Sequence, residues 1–226
     1  MHAKTIVLAA ATLVTAVGVG AGVILHSPDK TAPTAHATTT LAQVDTTTMV
    51  VARRPFCDGI AAADVTAALG GEATDASSYS DGDKASLTSP EGTVDDVAQE
   101  FGCTWTGTGT AARAWVFAPP VTPGWAGQLA AQVPKGCTRK PGPAYGRPSV
   151  ALSCGPARTG AGTGAGTRAG ASAAASGAPG ATTVSLRGLF GDAWLSCELT
   201  GRPDEPAATV AARADRWCLA VARAAG

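Results

Sequence analysis

The chain has 226 residues, is 45% hydrophobic and balances 17 Lys and Arg against 17 Asp and Glu. With no net charge there is no overall field to hold nucleic acid, so no nucleic-acid partner is expected. The three histidines, His2, His26 and His36, all precede the part of the chain that reads as folded, which deprives that part of Ser-His-Asp and Cys-His catalysis and of histidine metal ligands.

The first element is an apolar stretch that begins at Ile6 and closes at Leu25, preceded by Lys4 and stopped by Ser27-Pro28. At about 1.5 Å per residue it covers about 30 Å, the thickness of a bilayer's hydrocarbon. Ala35-His36-Ala37 has the small-x-small form that a signal peptidase requires. Two readings therefore stand for residues 1–27: an uncleaved transmembrane anchor with the domain outside, or a signal peptide removed near Ala37, giving a secreted protein. No cysteine follows the apolar run closely enough to accept a lipid. Residues 28–54, rich in Thr, Ala and Pro and without apolar periodicity, read as a disordered linker.

Residues 55–226 read as one extracytoplasmic domain. Its first element is a short helix beginning near Ile60, with Val65 and Leu69 on one face and Gly70 as a left-handed stop. Residues 101–106 and 111–118 bracket a Gly/Thr turn and form a hairpin carrying Trp105, Trp115, Val116 and Phe117. Thr122-Pro123 then caps a second helix, on which Trp125, Leu129 and Val133 recur every four residues until Pro134 ends it. Residues 137–154 form an irregular hairpin. The stretch 155–181, nearly all Gly, Ala, Ser and Thr, is a low-complexity loop. Residues 182–190 and 193–199 make another hairpin about Gly191-Asp192, and residues 206–224 the longest helix, with Val210, Ala214, Trp217 and Val221 on one face. Hairpin then helix, repeated, predicts an α+β fold: an antiparallel sheet with helices packed on one face.

Six cysteines allow 15 pairings, and sequence alone leaves them open. The predicted elements favour Cys57 with Cys103, Cys137 with Cys154 across one hairpin, and Cys197 with Cys218 between strand and helix. Neither the Cys-x-x-Cys of redox centres nor the close pairs of zinc sites occurs, so structural disulfides are the reading, with neither metal nor cofactor.

Cys57, then Ile60-Ala-Ala-Ala-Asp-Val, Leu69-Gly70, a polar stretch and Cys103-Thr104-Trp105 resemble a group of actinobacterial secreted or lipid-anchored proteins of unknown function. More distantly the pattern is similar to the extracellular sensor domain of a mycobacterial serine/threonine kinase. The resemblance covers chiefly residues 55–118 and implies an α+β cell-surface module that senses or binds and does not catalyse.

Three clusters invite chemistry. Glu72, Asp75, Asp81, Asp83, Glu91, Asp95, Asp96 and Glu100 could serve a carboxylate hydrolase or calcium, but read first as a solvated acidic loop, because Asp81-Gly-Asp83 lacks the later ligands of a calcium loop. Arg139, Lys140, Arg147, Arg187, Arg202, Arg213 and Arg216 make the later chain basic, and they read as solvated or paired internally with the acidic loop. The five tryptophans, including Trp194, read as core. The expectation is a membrane-tethered or secreted binding or sensor-like module of the bacterial envelope, not an enzyme, whose partner is a wall polymer or an envelope protein. Its alternatives are a carboxylate-dependent hydrolase of envelope polymers and a structural envelope protein.

Overall fold

The computed structural model describes residues 39–89, 92–155 and 180–226. The apolar segment from Ile6 to Leu25, Ala35-His36-Ala37, the histidines and most of the 155–181 loop lie outside them. The described residues belong to one contiguous unit, Thr38–Gly226.

Its elements are α1 (Ala62–Leu69), β1 (Asp75–Tyr79), β2 (Lys84–Ser89), β3 (Gly92–Val97), β4 (Glu100–Gly107), β5 (Thr110–Phe117), α2 (Pro123–Ala131), β6 (Cys137–Arg139), β7 (Ser149–Cys154), β8 (Thr183–Phe190), β9 (Ala193–Thr200) and α3 (Ala207–Ala225). Seven strands form one antiparallel sheet in the order β1-β4-β5-β9-β8-β7-β6. The class is α+β, and the disulfides are Cys57–Cys103, Cys137–Cys154 and Cys197–Cys218.

The period-2 alternation of the central strands sorts side chains onto two faces. One face carries Ala112, Ala114 and Val116 of β5, Leu186 and Phe190 of β8, and Leu195, Cys197 and Leu199 of β9, and meets α1 and α3 in the main core. The buried stripe of α3, Val210, Ala214, Trp217 and Val221, repeats at the spacing the sequence predicts. Trp217 meets Trp105 edge to face at 5.4 Å and donates through Nε1 to the Arg113 carbonyl. Cys197–Cys218 bolts β9 to α3.

One expectation needs correction here: the helices do not share a face. Ala126 and Ala130 of α2 pack with Val150, Leu152, Leu189 and Trp194, and the last two alternate with the main-core residues of β8 and β9. Two parallel apolar stripes on one sheet explain this, since each strand end near α2 is apolar on both sides. The helix also seats a face offset by one residue from the predicted one. Its two alanines let the backbone approach the sheet, whereas Trp125 is 40% and Val133 42% exposed. The Thr122 cap is as expected, its hydroxyl accepting from the Trp125 N–H.

The linker reading of residues 28–54 also fails over its described part. Leu41–Gln43 and Thr46–Thr48 form 3-10 turns, and Leu41, Thr46 and Val51 are buried. The Thr46 hydroxyl donates to the Ala144 carbonyl and accepts from the Gly146 N–H, and the Ala52 N–H donates to the Ala225 carbonyl. The strap is held by single apolar plugs and backbone bonds, so it leaves no periodic pattern to read.

Candidate functional site at the open edge of the sheet

The acidic stretch expected as a loop is built of strands. β1 pairs with β4, and the chain then runs out through the β2–β3 hairpin, which packs substantially on no other element among the described residues. Ser80 to Asp83 make the turn between β1 and β2, where Asp83 accepts from the Ser80 N–H. That bond uses Asp83 locally, and no group of three His, Cys, Asp or Glu side chains able to hold a metal occurs among the described residues.

β1 lies at one end of the sheet, with β4 as its only strand neighbour. Its residues Asp75, Ala76, Ser77 and Ser78 are exposed. The cause lies in α1. That helix is only two turns long, is built largely of alanine and buries Val65, Ala68 and Leu69 toward α3, β5 and β4. Gly70 ends it in the left-handed conformation at φ 70°, with its N–H bonded to the Thr66 carbonyl. Too short and too small to reach the sheet edge, α1 leaves the inner side of β1 uncovered.

A cleft of about 450 Å³ fills the resulting space, lined among others by Ile60, Val65, Glu72, Ala76, Ser78 and Trp105. A second, of about 120 Å³, continues along the same edge between Pro55–Gly59 and Ser78–Ser80. The two share Cys57, Asp58 and Ser78, so they form one trough beside β1. The Cys57–Cys103 disulfide pins its outer wall, the 3-10 turn Cys57–Gly59, to β4. The floor is apolar (Ile60, Val65, Trp105), and Asp58 and Glu72 stand at the rim.

On the other side of the same edge, the Tyr79 ring lies across Gly102, where a Cβ would run into it. Its hydroxyl donates to Glu100 Oε1 at 2.6 Å. Burial, opposed by the Tyr79 bond and by Arg113, raises the Glu100 carboxyl above its ordinary range. Burial first, and then Glu100, raise the Tyr79 phenol well above its own. Further in, Arg187 pairs with Glu198 at 2.9 Å, donates through Nε to Ser185 and lies over the Trp115 ring. Arg113 Nε donates to the Thr104 hydroxyl. These bonds tie polar groups to one another across β1, β4, β5, β8 and β9 and hold the sheet's second face in register.

The structure separates what the sequence grouped. Glu72 lines the trough, Asp75 is exposed at the start of β1, Asp81 and Asp83 lie in the turn before the projecting ribbon and Asp96 on it, and Glu100 belongs to the tyrosine pair. The side chains of Glu91 and Asp95 lie outside the description. Among the bases, Arg187 pairs with Glu198, Arg213 with Glu205 and Arg202 with Asp204, so the described pairs do not join the basic residues to the acidic stretch. Arg139 donates to the Ala130 carbonyl, at the opposite end of the sheet from β1. Trp115, Trp194 and Trp217 are core as expected, Trp105 is half-buried in the trough floor and Trp125 is exposed. Sequence reasoning missed Ile60, Ala76 and Ser78 as site residues. No protein-family model and no curated protein sequence matches this chain.

Proposed function

We propose that this chain is an extracytoplasmic binding module of the bacterial envelope, carried outside by its N-terminal apolar segment and either anchored by it or released near Ala37. It takes a protein partner or a wall polymer in the trough along β1. The disulfides, compatible with an oxidising extracellular compartment, support the location. The resemblance to actinobacterial cell-surface proteins supports the same reading. The observation that carries the binding role is the apolar-floored trough beside an unpaired sheet edge, since a concave apolar site with a few polar groups is the usual form of a recognition site.

The test uses full-length protein with a tag after Gly226. In spheroplasts an external protease removes the tag, and isolated envelope material retains the wild type and Trp125→Ala but not Ala76→Trp, which fills the trough from an exposed position. A protected tag, or equal retention of all three, contradicts the reading. A second reading, hydrolysis of an envelope polymer, draws on Asp58 and Glu72 both lining the larger cleft. Soluble fragments released by wild type and not by Glu72→Gln would establish it instead.

A further inference from the structure

We propose that the free edge of β1 accepts an extended, cationic segment of a partner protein as an added strand, with alternate side chains of that segment seated in the trough. The proposal rests on the binding reading above and names its ligand class.

Three independent features meet at this edge. The first is the backbone. β1 pairs with β4 on one side, and its other row of N–H and C=O groups has no hydrogen-bonded neighbour among the described residues. Natural sheets blunt such edges with lysine, proline or a bulge, because an open edge templates pairing with another chain. Asp75-Ala-Ser-Ser-Tyr79 contains neither lysine nor proline, and its pairing with β4 runs without interruption.

The second is the trough. It runs beside this strand from Ala76 to Ser80 and lies on the inner side of the edge. In a strand added to β1, every other side chain would point to that side, over Ile60, Val65 and Trp105. Main-chain bonds then give affinity and the trough gives specificity for apolar side chains at alternate positions.

The third is charge. Asp58 and Glu72 line the trough, Asp75 opens the strand, Asp81 and Asp83 stand in the turn that follows it, and from residue 57 to residue 83 the sequence carries no Lys or Arg. Such a field attracts a basic segment and repels nucleic acid and phosphate-bearing polymers. A second copy of this chain offers a basic edge at β6, beside Lys135, Arg139 and Lys140. However, β6 spans only Cys137–Arg139, shorter than β1, and brings no free chain end to lie in the trough.

The experiment titrates full-length protein in detergent with a short fluorescein-labelled peptide of alternating lysine and valine, read by anisotropy, with hydrogen exchange of the 75–79 amides as a second readout. Saturable binding is expected, together with slowed exchange at 75–79. Methylating alternate peptide amides on one edge is expected to weaken binding about tenfold or more, because it removes the ladder and keeps the charge. A glutamate/valine peptide is expected not to bind. Equal binding by the methylated peptide, or unchanged exchange at 75–79, overturns the proposal in favour of charge attraction alone. Self-association that protects 75–79 without peptide overturns it in favour of a second copy. If the probe fails while envelope material still retains the protein, the added strand is wrong and the binding reading stands. If both fail, the binding reading falls as well.

Discussion

At single residues the structure ties each prediction to a specific contact. Glu205 and Arg213 pair at 2.5 Å with side chains 6% and 9% exposed. Removing the acid strands a buried guanidinium, so Glu205→Ala is expected to cost about 3–5 kcal/mol in urea denaturation, more than the pair itself contributes. Gly102 has the opposite logic, because its missing side chain makes room for the Tyr79 ring. Gly102→Ala is expected to displace that ring and cost about 1–3 kcal/mol. Glu100 sets a pH dependence. Its folded carboxyl binds its proton more tightly than the unfolded one. Its contribution to stability is therefore whole below the ordinary carboxylate pKa and is lost as pH rises through the raised folded value. Measured against Glu100→Gln across a pH series, the wild type is expected to lose relative stability on going from acid to neutral pH. A difference that is flat or rises with pH would contradict the burial of that carboxylate.

At the scale of elements, the legible parts were those that bury a periodic face. α3, the β4–β5 and β8–β9 hairpins, the Thr122 cap and the Gly70 stop could all be read because packing or capping imposed a pattern on the residues. The illegible parts lack such a pattern for physical reasons. β1 reads Asp-Ala-Ser-Ser-Tyr because an exposed edge strand needs no apolar alternation. The α2 stripe misled because Trp125 announces itself on a helix whose seat on the sheet is made by alanines, and because the helix ends at Ala131, before Val133. Ala130→Leu is accordingly expected to cost about 1–3 kcal/mol by overpacking against Val150 and Leu152, whereas Trp125→Ala, which removes a half-exposed ring resting on Phe117, is expected to cost about 0.5–1.5 kcal/mol. The strap before α1 offers a similar contrast. Leu41 is fully buried, so Leu41→Ala is expected to cost about 2–5 kcal/mol, a loss no tether residue could cause.

For the whole molecule, the trough follows from the covalent frame. A short alanine-rich helix leaves the sheet edge bare, and the Cys57–Cys103 bridge holds the facing turn at a fixed distance from it. By loop-closure arguments each bridge contributes about 3 to 4 kcal/mol, so the three together are comparable to the total stability of an ordinary domain. The cysteine spacing made this frame readable before the fold was known, whereas the trough could not be read, because it depends on what α1 fails to cover. Oxidation of the three cysteine pairs is thus the condition for the folded domain and for the bare edge on which the proposed binding rests. Protein trapped in acid directly from cells, unfolded, and titrated for thiols without reductant measures that condition most directly. No reactive sulfhydryl before reduction and 6 after it is the expected result, and several reactive sulfhydryls before reduction would contradict the account.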